Sequence, residues 1–203
     1  RHRLPYGEYV VLLFFATLGM MVISISADLI ILFIGVELLS LSLFVLCGIQ
    51  KQSLLSGEAA LKYFILGAFS TGFFVYGLAF VFGIFRTTNL VTIGIAAAEG
   101  SEPFPLLVLG FALILIGLGF KISLVPFHMW APDVYQGAPT PITSWIATGS
   151  KIAGFIALMR IFSLSENSLV LYGEYWTQGF WVLAMLTMVV GNLGALAQSN
   201  IKR

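Results

Sequence analysis

Apolar residues run along this chain in long, nearly unbroken stretches, and polar side chains gather between them in short clusters. Such runs are neither the alternation of a half-buried strand nor the one-sided stripe of a helix on a soluble core. A helix crosses a bilayer with about 20 mostly apolar residues. The pattern predicts six crossings, over about 9–27, 28–49, 58–85, 105–123, 141–163 and 179–198. The first two are joined so tightly that they form a hairpin. The third is long enough to begin outside the hydrocarbon. The link 86–102 holds Gly94, Gly100 and two glutamates, and reads as an exposed loop. No internal repeat is evident, so 1–203 is expected to be one transmembrane domain.

One stretch breaks the pattern. The fourth apolar run reaches Lys121 and is then interrupted by Pro126 and Pro132, with His128 and Trp130 between them. A further half-helix is expected over 126–135 before Pro141 opens the next span. Pro126 has no N–H for the carbonyl of Ile122, and Pro132 has none for that of His128. Interrupted helices at membrane depth line a cavity or are buried in protein, and in transporters they mark ion or substrate paths.

Composition agrees with the pattern. Of 203 residues 59% are hydrophobic and 9% charged, and mean hydropathy is +1.01, which places the chain among integral membrane proteins. A net charge of +1 argues against a nucleic-acid partner. Cys47, the single cysteine, lies in an apolar run and reads as a packed core residue, which excludes a disulfide framework or a cysteine-ligated cluster. The sequence opens on Arg1 without a cleavable signal and reads as a segment of a longer protein. Arg1, Arg3, Lys51, Lys202 and Arg203 flank one side of the predicted spans, against Arg86 and Arg160 on the other, so both ends are expected to be cytoplasmic.

Four charged residues fall inside apolar runs: Glu37, Lys62, Lys121 and Lys151. A lysine at the bilayer centre costs roughly 2.5–3.5 kcal/mol on insertion scales. Lys151 is too far from either end of its span for its ammonium to reach water easily; the bland alternative is a structural lysine on a carbonyl. Lys121 follows sixteen residues that span about 24 Å, and would otherwise snorkel to the cytoplasmic face. Glu37 reads as a functional carboxylate, or else as a neutral acid bonded to Ser40. Lys62 lies four residues after Glu58, so a helix-end ion pair and a functional role stand level. His128 titrates near neutrality and is either a proton relay or a hydrogen-bonded interfacial residue. Small residues at helical spacing, Gly67 and Thr71 among them, read as packing surface only.

The run LGFKISLVPFHMWAPDVYQGAPTPI closely resembles the signature of the antiporter-like membrane subunits of respiratory complex I. FIGVELLSLSLFVL, GEAALKYFILGAFS, ATGSKIAGF and GNLGALAQSNIKR fit the same pattern in order, and within the family they most resemble subunit N, the counterpart of mitochondrial NADH dehydrogenase subunit two. The resemblance covers nearly the whole chain. It implies inverted repeats of five helices, each with one discontinuous helix; this chain would be the first repeat plus one helix of the second. It implies that Glu37 and Lys121 are the mid-membrane Glu–Lys pair, with Lys151 on the next helix. Lys62 and His128 also match positions that the family carries.

The resemblance further implies proton translocation through a Glu37–Lys121–Lys151 chain, driven by redox chemistry in other subunits of an NADH:quinone oxidoreductase in the bacterial inner membrane. Flavin, iron–sulfur clusters and quinone are expected in or between those subunits and no cofactor in this chain. Expected partners are the other membrane subunits, especially neighbouring antiporter-like ones, together with lipid and protons. A secondary cation/proton antiporter subunit is the alternative.

Overall fold

A computed structural model describes residues 6–98, 104–163 and 173–203. Among these residues the fold is all-helical, and six helices are long and apolar enough to cross a membrane. Helix α1 (Tyr6–Ile25) and helix α2 (Leu29–Cys47) form the expected hairpin. Asp28 caps α2 by accepting from the amides of Ile30 and Ile31. Helix α3 (Leu54–Phe85) starts four residues earlier than its apolar run suggests, because Ser53 caps it through the Ser56 amide.

The link after α3 is not a plain loop. Residues Leu90–Ala98 form helix α4, capped by Asn89, whose side-chain oxygen accepts from the amides of Val91 and Thr92. Leu90, Ile93 and Ala97 are buried, and an isolated bridge pairs Asn89 with Asp28. Gly94 therefore sits inside a short apolar helix. The two glutamates of the expected loop, Glu99 and Glu102, lie outside the described residues, as do Arg1 and Arg3.

Helix α5 (Phe104–Ile122) runs antiparallel to α3. Their backbones touch at Gly77, where an added Cβ would lie 2.5 Å from the Gly110 oxygen, so only glycine allows this approach. Ser70 donates to the Gly117 carbonyl at 2.9 Å. This register sets the depth of the break. Ser70 lies near the middle of α3, whose 32 residues span about 48 Å, and α5 runs more than one turn past Gly117, so it stops roughly three fifths of the way along α3 from that helix's C-terminal end.

A helix stop of Schellman type ends α5: Leu124 N–H bonds the Gly119 carbonyl and Ser123 N–H bonds that of Phe120. Ser123 takes the left-handed conformation this stop requires, with φ 58°. The second half-helix, α6, covers Ala131–Gly137 rather than 126–135. Trp130 Nε1 donates to the Phe120 carbonyl and Ala131 N–H to that of His128, which closes a turn before α6 begins. Pro132 then falls in the first helical turn, where a missing N–H costs nothing. The His128 carbonyl is thus satisfied within the turn.

The next span is also less uniform than its sequence suggests. Helix α7 (Thr140–Trp145) widens into a π-helical segment at Ile146–Ser150, and helix α8 (Lys151–Ser163) continues from it. Helix α9 (Gly173–Leu196) completes the set.

Among the described residues, Lys202 and Arg203 lie at one end of the bundle and Arg160 at the other. Lys202 donates to the carbonyls of Gln136 and Ala138, Arg203 pairs with Asp133, and Gly137 packs on Leu55 at the start of α3. At the opposite ends of these helices Arg160 donates to the Ser26 carbonyl, and Thr88 donates to Asp28.

Candidate functional site: buried charges around an interrupted helix

The site forms where α5 stops. Lys121, on the last turn of α5, is only 3% exposed. Its Nζ has no hydrogen-bond partner among the described residues. It lies instead over two ring faces, 5.7 Å from the centroid of Phe44 and 5.5 Å from that of Tyr63. Desolvated cation–π contacts are worth about 2 kcal/mol or more. That offsets much of the cost of a central lysine without binding it to one acceptor.

Glu37 faces the same space from α2. It shares with Lys121 the lining of a cavity of about 10 Å³ that also includes Ser40, Ser70 and Thr71. That volume suits roughly one water molecule, and the walls offer it several polar partners. Glu37 Oε1 accepts from the Thr71 hydroxyl at 2.8 Å. Thr71 therefore does more than pack. Ser40 does not bond Glu37, because its hydroxyl donates to the Val36 carbonyl one turn back.

Lys151 is held differently. Its Nζ donates to the Ile122 carbonyl at 3.1 Å and to Ser123 Oγ at 2.7 Å. The first is the carbonyl that Pro126 leaves unpaired, so the proline break and the lysine on the next span complete each other. Lys151 also lies 5.7 Å from the Trp130 ring centroid and 5.9 Å from that of Tyr135. Gly154, one turn on, lets Ile122 pack against α8: an added Cβ would stand 2.6 Å from the Ile122 side chain.

The other two candidates stand apart. Lys62 has a side chain 41% exposed and pairs with Glu58 and Asp133, both at 2.7 Å. The Glu58 pair was legible from spacing alone; Asp133, which joins α3 to α6 and to Arg203, was missed. The Lys62 hydrogen bond holds the Asp133 carboxyl below its ordinary value, against partial desolvation, and the charges of Lys62 and Arg203 add to this. His128 has a buried Nδ1 without a partner and bonds neither Lys121 nor Lys151. The turn that carries it is tied to α9, where Thr187 Oγ1 accepts from the Val125 amide at 3.1 Å.

Residues 26–203 match the family described as NADH:quinone oxidoreductase/Mrp antiporter, TM. The chain belongs to this family. It is 44% identical over 204 residues to the NADH-quinone oxidoreductase subunit N of Trichlorobacter lovleyi, covering 100% of this chain and 41% of that protein. It is 48% identical over 200 residues to subunit N of Chloroflexus aggregans, covering 97% of this chain and 40% of the relative. Among solved structures, a chain of respiratory complex I from Thermus thermophilus with bound aureothin superposes with a TM-score of 0.75 at 39% identity, covering 94% of this chain and 40% of that one. The chain thus spans about two fifths of the length of these relatives.

Proposed function

We propose that this chain, as a single membrane domain within a longer subunit, conducts protons for an NADH:quinone oxidoreductase. The observation that carries the reading is Lys121: a buried ammonium on the last turn of an interrupted helix, without a hydrogen-bond partner among the described residues, and sharing a water-sized cavity with Glu37. Glu37, Lys121 and Lys151 form the principal path. His128 and Lys62 remain accessory candidates, and the ion pairs of Lys62 favour an anchoring role for it.

In this reading Glu37 and its Thr71 donor form one side of a gate. While Glu37 stays near Lys121, the opposite charge favours the protonated lysine; movement of Glu37 away promotes transfer towards Lys151. Redox events elsewhere supply the drive. Flavin, iron–sulfur and quinone chemistry belongs in or between other subunits, and this chain contributes no redox centre. Its partners are then neighbouring antiporter-like and other membrane subunits, lipid and protons, with no nucleic acid. The membrane is the bacterial inner membrane, with both ends of the segment cytoplasmic; the gathering of Lys202 and Arg203 beside α6 supports that orientation.

The test is Lys121→Ala and Lys151→Ala in the assembled complex, measuring proton pumping and quinone reduction together. Loss of pumping is expected, and Lys→Arg should also impair it because arginine barely releases its proton. Normal pumping by well-assembled Ala variants would refute the proposal. The family description also includes antiporters, so a cation/proton exchanger is the second reading. Exchange driven by an ion gradient without an electron donor would favour it.

A further inference from the structure

Two buried hydroxyls belong to residues beside the lysines. Lys121 stands over the ring of Tyr63, Tyr63 stacks on Trp130 with centroids 4.5 Å apart and planes 12° from parallel, and Lys151 stands over Trp130. The two ammonium groups therefore share one aromatic stack, Lys121 at its Tyr63 end and Lys151 at its Trp130 end. Tyr63 and Ser150 are completely buried, and neither hydroxyl has a hydrogen-bond partner among the described residues. Ser150 is the last residue of the π-helical segment and the immediate neighbour of Lys151, and its hydroxyl lies within electrostatic reach of Tyr63.

Leaving a buried hydroxyl unpaired costs about 1–3 kcal/mol. Phenylalanine and alanine would keep the packing here without that cost. What a hydroxyl adds is amphoteric bonding: it accepts on oxygen while donating its own proton. The π-helical segment supplies the geometry, since such segments re-aim side chains inside otherwise regular helices. His128, the relay candidate from the sequence, bonds neither lysine.

We propose that the hydroxyls of Tyr63 and Ser150 form the proton bridge between Lys121 and Lys151. This rests on the reading of the chain as a proton conductor. In one passage an N–H bond breaks at the Lys121 ammonium and an O–H bond forms on Tyr63, directly or through one water. Tyr63 releases its original proton to Ser150, and Ser150 releases its own to the neutral amine of Lys151, where an N–H bond forms. Each hydroxyl gains and loses one proton and ends neutral, no electrons move, and rotation of both O–H groups resets the bridge.

The experiment uses the assembled complex in proteoliposomes with Tyr63→Phe, Ser150→Ala, the double variant and Lys121→Ala. Tyr63→Phe keeps the ring stack and Ser150→Ala keeps the helix, so assembly is expected to survive. Each should lower the pumping rate per assembled complex at least about tenfold, and the double variant should be no slower than the worse single one, as for two links in series. Normal pumping by Tyr63→Phe and Ser150→Ala while Lys121→Ala fails would overturn the bridge and leave the functional reading standing. Normal pumping by Lys121→Ala would overturn both. If Tyr63→Phe does not assemble, Ser150→Ala alone decides.

Discussion

Replacing Ser123 tests how the interrupted helix is held. This residue has two roles with separable energies: its backbone takes the left-handed conformation that stops α5, and its hydroxyl accepts from Lys151 at 2.7 Å. Ser123→Ala removes the hydroxyl and keeps the backbone cost. Interhelical hydrogen bonds in membranes average about 0.6 kcal/mol and reach about 1.7, and the ionised donor places this one near the top. A loss of about 1.5 kcal/mol corresponds to roughly a tenfold rise in local opening. Ser123→Gly loses the same bond but relieves a left-handed penalty of about 1 kcal/mol. Its net loss is about 0.5 kcal/mol, or roughly twofold.

The assay is amide exchange of the segment 118–131 in the assembled complex, since opening of the break exposes the Leu124 and Val125 amides now bonded to the Gly119 carbonyl and the Thr187 hydroxyl. The predicted order of exchange is wild type slowest, then Ser123→Gly, then Ser123→Ala. Equal exchange in wild type and Ser123→Ala would show that Lys151 does not hold the break. Faster exchange in the glycine variant than in the alanine variant would refute the backbone assignment.

Further outcomes follow from single contacts. Thr71→Val removes the donor to Glu37 while preserving shape, and should slow proton pumping several-fold in a complex that assembles normally; unchanged pumping would remove Thr71 from the gate. Gly77→Val inserts atoms where even a Cβ lies 2.5 Å from a backbone oxygen, so α3 and α5 must separate, and the yield of assembled complex should collapse on native gels. The Asp133 carboxyl titrates below its ordinary 3.8, so its ion pairs add stability above that pH and lose it as pH falls through the lower, folded value. The tail that carries Arg203 should therefore remain docked from pH 8 down to about 5 and exchange faster only below about 3.8, whereas Asp133→Asn should show the released tail already at pH 7.

The six spans and the break were legible because each rests on a local rule: run length, hairpin spacing, and prolines that cannot donate. The position of Lys121 could be estimated for the same reason. The missed features depend on partners distant in sequence. Helix α4 was obscured by Gly94 and Gly100, although Asn89 stands as a cap before an apolar run, a signal present in the sequence that the loop reading did not use. Asp133 sits 71 residues from Lys62, and no helical spacing announces that pair. Thr71 was read as a small packing residue because its acceptor lies on another helix. The ring faces above Lys121 and Lys151 come from Phe44, Tyr63, Trp130 and Tyr135, which sequence periodicity presents simply as core.

The two buried lysines are held by forces of different geometry, and that difference bears on which of them can move. Lys151 is fixed by two directional bonds to the end of α5, so displacing it breaks both and leaves the Ile122 carbonyl unpaired at a cost of about 1–3 kcal/mol. Lys121 is held by ring faces and by the field of Glu37, neither of which demands one position for its ammonium. A small shift of Glu37 or entry of one water changes its surroundings without breaking a bond. The break in α5 thus leaves one charge without a directional bond among the described residues and clamps the other with two. In the proposed proton path, gating is better placed at the loosely held charge, with Glu37 and Lys121 as the proposed control point and Lys151 as the proposed receiver.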